Sequence, residues 1–141
     1  MNGPELPKKK RRKKSDSQRL KDTLDAIFSK YIRLRDNREG CFTCGHNPGW
    51  KKLQNGHFVP RQYLETRFDE RNCHAQCYAC NMFYGGQPAT YAKRLQDKYG
   101  QGVVEELERG RWVTVKDFPY QEKIDHYTQE VDIMLKKLSE M

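Results

Sequence analysis

The chain has 141 residues, 35% of them hydrophobic, and a formal net charge of +8 at pH 7. A mean hydropathy of −1.07 excludes a large apolar core, and so lean a domain usually needs a staple such as a metal or disulfides. No apolar run reaches the roughly 18–20 residues of a membrane span and no secretory apolar segment is present, so an intracellular setting with a polyanionic partner and no membrane is expected.

In chain order, Pro7 precedes an unbroken basic run from Lys8 to Lys14. That run has nothing apolar to bury, so residues 1–14 are expected to be a disordered basic tail with non-specific DNA affinity. It also resembles a nuclear localisation sequence, a pattern that any basic arm matches. Ser15 and Gln18 have capping-box spacing and open a helix expected over 15–40, with Leu20, Leu24, Ile27, Tyr31 and Leu34 on one face and Gly40 at its end. Residues 41–88 form a metal-rich centre, poor in helix signals until after Cys77, where Phe58 and Val59 suit a short β-hairpin. Residues 89–141 turn helical again. Tyr91, Leu95 and Tyr99 recur every four before Gly100, and Val103, Val104 and Leu107 precede Gly110. Asp117 and Pro119 start a last helix carrying Ile124, Tyr127, Val131, Met134 and Leu138 on one face, with His126 turned to solvent. The stripes of the first and last helices are expected to pack on each other or on the centre. A homodimer seam is the sharper alternative, although each stripe is short for a coiled coil.

The centre is framed by two Cys-x-x-Cys pairs, Cys41/Cys44 and Cys77/Cys80. Without a secretory signal, such pairs read as metal ligands more readily than as disulfides. Zinc takes four thiolates tetrahedrally, and a shell closed by four cysteines leaves no open position, so this zinc is expected to be structural and coupled to folding. Cys73 falls outside the spacing and is expected to be a small buried residue, and His46 follows Cys44 too closely to be a further ligand.

Closing the loop between the pairs brings together Asn55-Gly56-His57-Phe58, Arg61, Arg67-Phe68-Asp69-Glu70 and Asn72, with Asn81 directly after the last cysteine. These residues resemble the HNH, or His-Me finger, nucleases. The resemblance implies an α+β fold, a small zinc-stabilised ββα-metal core over 41–88 flanked by N- and C-terminal helices. Gly56-His57-Phe58, Thr66-Arg67-Phe68-Asp69, Asn72, His74, Gln76-Cys77 and Cys80-Asn81 further resemble the NinG (Rap) recombination proteins of lambdoid phages, over about residues 35–110. Phage recombination endonuclease VII is similar at a greater distance.

The NinG resemblance implies a structure-specific endonuclease of phage recombination, acting on branched DNA such as Holliday junctions and D-loops in the host-cell cytoplasm. The catalytic residues it implies are His57, Asn72 and Asn81. His57 is the general base, since neutral imidazole accepts a proton near pH 7. Asn72 holds the loop or orients His57. Asn81 is a ligand of one catalytic divalent cation, Mg²⁺ or Mn²⁺, or else a helix cap. Many HNH enzymes carry a metal ligand immediately before the base, where this chain has Gly56. Asn55, Asp69, Glu70 and His74 are candidates to replace it, Asp69 first because a carboxylate suits Mg²⁺.

Arg61 and Arg67 are candidate phosphate contacts or ion-pair partners of Asp69 and Glu70. Lys51, Lys52, Lys93, Arg94 and Lys98 would extend a basic DNA surface. Two other readings stay open: a non-catalytic zinc-stabilised DNA- or protein-binding module, which Gly56 favours, and a sequence-specific HNH restriction or homing nuclease.

Overall fold

Helix α1, Asp16–Arg35, begins where the Ser15 hydroxyl accepts the Gln18 backbone N–H at 3.2 Å. Only half of the expected capping box forms, because the Gln18 amide donates onward to Asp22. The computed structural model describes residues 3–8 and 12–141. The basic-tail reading therefore falls in part outside the described residues, at 1–2 and 9–11; residues 3–8 and 12–14 carry no helix or strand.

The expected end of the first helix near Gly40 is corrected to Arg35, because Asp36 is drawn sideways. Its carboxylate accepts from the Arg35 guanidinium at 2.7 Å and from the Ala75 backbone N–H at 2.9 Å. The same Arg35 donates to the Glu70 and Cys73 carbonyls. One ion pair thus covers polar backbone groups along strand β2, Cys73–Gln76, that would otherwise be an open sheet edge. Gly40 then turns the chain at φ 74° into the first cysteine pair, where a Cβ would lie 2.6 Å from the Asn47 Cβ.

Strand β1, Gln54–His57, pairs antiparallel with β2, setting His57 opposite Cys73 and Gly56 opposite His74. The hairpin expected around Phe58 and Val59 ends earlier than they do. Phe58 still donates to the Asn72 carbonyl at 2.9 Å, but both backbone groups of Val59 are taken by the Asn72 side chain. Between the strands lies α2, Leu64–Arg67, a single short helix that no sequence signal announces. After the second cysteine pair come a wide helical turn, Ala79–Phe83, then α3, Pro88–Tyr99, and α4, Val103–Arg109. The last helix is α5, Tyr120–Ser139, with Pro119 at its cap position.

The stripes of α1 and α5 close on each other: Leu24, Phe28 and Ile32 pack with Tyr127, and the cluster continues to Phe68 and the buried Cys73. Phe28 meets Tyr127 edge-on at 4.9 Å and Phe68 at 5.7 Å, an aromatic geometry favourable beyond its buried area. A second core gathers Val59, Tyr91, Leu95, Val103 and Leu107. The result is a mixed helical fold around one two-stranded sheet. Among the described residues no helix is long and apolar enough to cross a membrane.

Candidate active-site cleft and metal cluster

The sulfur atoms of Cys41, Cys44, Cys77 and Cys80 all lie within 4.8 Å of one another, and Cys44 Sγ is 3.6 Å from Cys77 Sγ. A zinc–sulfur bond of about 2.3 Å gives a tetrahedron edge of about 3.8 Å, so four soft donors at this spacing fit one zinc ion. Backbone amides approach two of the sulfurs, His46 N–H toward Cys44 and Cys80 N–H toward Cys77, each at 3.5 Å. His46 itself is exposed.

Beside this cluster opens a cleft of about 520 Å³, lined by Asp25 and Ser29 from α1, Asn55 and His57 from β1, and Arg61, Asn81 and Met82. His57 Nε2 lies 3.0 Å from the Arg67 carbonyl. A carbonyl can only accept, so the neutral ring carries its proton on Nε2 and leaves Nδ1 as the free basic nitrogen. Burial holds the imidazole pKa below its ordinary range. The Arg67 carbonyl opposes that, the Arg61 and Arg67 charges add to it, and Asp25 opposes it again.

Asn72 is fully buried and sits away from the cleft lining, where it can hold the loop but cannot touch a substrate. Its amide accepts from Val59 N–H at 2.8 Å and donates to the Val59 and Thr66 carbonyls at 3.0 and 3.1 Å. Those bonds tie down the segment whose next carbonyl, that of Arg67, orients His57. Asn81 does line the cleft. Its Nδ2 donates to Gln54 Oε1 at 2.7 Å, which leaves the amide oxygen to face a ligand. It sits within the wide turn and does not cap it.

Gly56 takes on a different meaning here. Side chains alternate along a strand, so residue 56 faces away from His57, while Asn55 and His57 both line the cleft. On that far side Gln76 fills the space: a Cβ at position 56 would lie 2.6 Å from Gln76 Cδ and 2.8 Å from its Cγ. Asn55 instead offers a buried amide oxygen with no hydrogen-bond partner. An orphaned acceptor is costly unless something binds it. That oxygen and Asn81 fit a hard, oxygen-seeking cation.

The other ligand candidates are corrected. Asp69 accepts from the Arg71 backbone N–H at 2.9 Å and lies outside the cleft lining. Glu70 is held by the Tyr31 and Tyr127 hydroxyls at 2.6 and 3.2 Å. His74 is fully buried and stacked on Phe42, with ring centroids 4.0 Å apart. The Tyr91 hydroxyl donates to the Gly56 carbonyl, so His74 Nδ1–H donates to Tyr91 and Nε2 accepts from Tyr99. Burial pushes its pKa down to about 3, and it serves as a neutral core wedge.

Arg67 is also corrected. Its guanidinium pairs with Asp25 and donates to the Arg61 carbonyl, which leaves it unsuited to phosphate, and its partner is neither Asp69 nor Glu70. Arg61 stays exposed on the cleft rim. Lys51 and Lys52 are exposed but outside the cleft. Lys51, Lys30 and Arg33 gather over the Trp50 ring at 5.8, 6.0 and 5.5 Å. Lys93, Arg94 and Lys98 are exposed on α3, and His126 on α5. Asp25 and Ser29 had no sequence signal, because α1 reads there as an ordinary amphipathic helix.

The family described as Bacteriophage Lambda NinG protein matches residues 4–139. Similar proteins include Protein ninG of Escherichia phage 933W, 34% identical over 100 residues that cover 66% of this chain and 48% of that protein. Protein ninG of Salmonella phage P22 is 33% identical over 102 residues (67% and 48%), and that of Escherichia phage lambda 33% over 100 (66% and 47%). The chain thus spans about half the length of the curated relatives it matches. No solved structure matches it. The chain belongs to the NinG family of lambdoid phages.

Proposed function

We propose that this chain is a metal-dependent endonuclease of the HNH, His-Me finger kind that cuts branched DNA. The observation that carries the reading is the shared cleft: His57, with Nδ1 left basic by the Arg67 carbonyl, lines the same space as Asn81 and Asn55, and the Asn55 amide oxygen is buried beside it without a hydrogen-bond partner. The proposed nuclease unit runs over 41–88, from the first cysteine pair through the two strands to the wide turn. Structural zinc on Cys41, Cys44, Cys77 and Cys80 would fix its two ends. The preference for branched DNA rests on the NinG resemblance.

Hydrolysis needs a water placed in line with the leaving 3′ oxygen. His57 Nδ1 takes the proton as the water oxygen bonds to phosphorus and the P–O3′ bond breaks; the leaving 3′ oxygen takes a proton from solvent water, giving 5′-phosphate and 3′-hydroxyl ends. Asn81 and Asn55 would hold Mg²⁺ or Mn²⁺, and such a cation supplies charge neutralisation at the phosphate and the leaving oxygen. Arg61 engages a flanking phosphate from the rim. Asp25 keeps Arg67 off the substrate, so the carbonyl that orients His57 stays in place.

The test is cleavage of Holliday junction, fork and linear duplex in Mg²⁺, in Mn²⁺ and without added metal. Wild type is expected to nick the branched substrates. His57→Ala should lose cutting while keeping zinc content and junction binding. Junction binding with no cutting in any metal would instead identify a binding module. Cutting of linear duplex at one sequence would identify a restriction or homing nuclease.

A further inference from the structure

The wide turn that carries Asn81, with the residue on either side of it, leaves four large apolar side chains in solvent. Tyr78, Met82, Phe83 and Tyr84 are 55%, 59%, 77% and 63% exposed. This is no shortage of core space, since Phe28, Phe68, Tyr91 and Tyr127 are all buried. A contiguous exposed apolar patch marks an interaction surface. One end of it is anchored: Tyr78 lies between Cys77 and Cys80 inside the second knuckle, and meets Phe83 edge-on with centroids 5.8 Å apart.

The occupant is identified by what adjoins the patch. Met82 belongs both to the patch and to the wall of the cleft, alongside Asn81 and the cationic Arg61. From Asn72 to Ala92 the chain has no Asp, Glu, Lys or Arg, so no carboxylate on the patch repels a polyanion, and the chain as a whole is at +8. A phosphate held by Arg61 and by a cation on Asn81 would lay its neighbouring nucleosides across Met82. In a duplex the base faces are stacked away; at a branch point or in a single strand they are free to stack on aromatic side chains.

We infer that Tyr78, Met82, Phe83 and Tyr84 form a stacking platform for unpaired nucleobases beside the scissile phosphate, and that this platform selects branched over linear DNA. The inference rests on the nuclease reading for its substrate, DNA, but not on catalysis.

The test uses zinc-loaded full chain in Ca²⁺, where binding is read without cutting. Fluorescence anisotropy would compare wild type, Phe83→Ala, Tyr84→Ala and the double variant on a fork and on linear duplex. A fork with 2-aminopurine at the branch point reports stacking directly. Base–aromatic stacking predicts about ten-fold weaker fork binding per lost ring, loss of the 2-aminopurine quench, and duplex affinity within two-fold of wild type. Equal losses on both substrates, no loss, or an unquenched probe with wild type would overturn the platform. A wild-type dimer in sedimentation that Phe83→Ala dissociates would assign the patch to a second copy and also overturn it. A wild type that quenches the probe but never cuts sinks the nuclease reading alone; one that cuts forks while the variants bind them normally sinks the platform alone.

Discussion

Replacing Gly56 with aspartate would be the natural repair if the residue before the base were a missing metal ligand. The fold makes it a destabilising change instead. Any Cβ at position 56 points away from the cleft and into Gln76. Gln76 cannot swing aside cheaply, because it is fully buried and its Nε2 donates to the Thr43 hydroxyl at 3.1 Å and the Gly86 carbonyl at 2.9 Å. Losing two hydrogen bonds at about 0.5–1.5 kcal/mol each costs roughly 1–3 kcal/mol. Overpacking adds a similar ~1–3 kcal/mol, so Gly56→Ala is expected to cost about 2–6 kcal/mol. Gly56→Asp adds an unpaired buried carboxylate and should cost more still, comparable to the ~5–15 kcal/mol total stability of an ordinary domain. Urea denaturation of the zinc-loaded proteins measures the first effect, and calorimetric Mn²⁺ titration tests for a new ligand. A Gly56→Asp protein as stable as wild type, with tighter Mn²⁺ binding, would refute both the strand orientation and the assignment of Asn55 to the cation.

The position of Asn55 gives the complementary expectation. Asn55→Asp keeps the shape, exchanges an amide for a carboxylate and should tighten Mn²⁺ about ten-fold or more by calorimetry, whereas unchanged affinity would remove residue 55 from the cation site. The depressed pKa of His57 keeps its imidazole neutral to lower pH. The acidic limb of kcat/KM in Mn²⁺ should therefore fall below the ordinary histidine pKa of about 6.5, and Arg61→Ala should move it upward; a limb above that value contradicts the electrostatics. His74 titrates near 3 in the fold, so its stabilising contribution is complete above the unfolded pKa and is lost as pH falls toward 3. Between pH 7.5 and 5 that loss is about 2 kcal/mol. Comparing the denaturation pH slope of wild type with that of His74→Phe separates the histidine from the cysteine thiolates, and equal slopes would show that His74 is not the group responsible.

The helices were legible because their signals are local. Gly100 and Gly110 follow α3 and α4 where the apolar spacing ends, and Pro119 precedes α5. The cysteine cluster was legible for a related reason: two Cys-x-x-Cys turns are self-contained knuckles, and only their meeting required the fold. What sequence could not supply was direction. Asp69 and His74 carry suitable ligand atoms near His57 in the chain, yet one is spent on the Arg71 amide and the other is walled in by Phe42, Tyr91 and Tyr99. Arg67 looked available for phosphate because its partner, Asp25, lies on a helix far away in sequence. Gly56 looked like a gap because the chain is read one residue at a time, whereas a strand presents every second residue to the same face.

The cleft is therefore assembled from two anchoring systems that meet in it. Asn81 is placed by the cysteine cluster, one residue beyond Cys80, and steadied by Gln54. His57 is placed by the protein interior: the Arg67 carbonyl orients it, Asn72 fixes the segment that carries that carbonyl, and Asp25 on α1 pins Arg67 itself. Helix α1 reaches this position because its apolar stripe is packed against α5. The terminal helices, which read as accessories in sequence, thus set both the position and the charge environment of the proposed base. The cysteine cluster governs only the proposed cation side of the same reaction, so the two halves of the site depend on different parts of the chain.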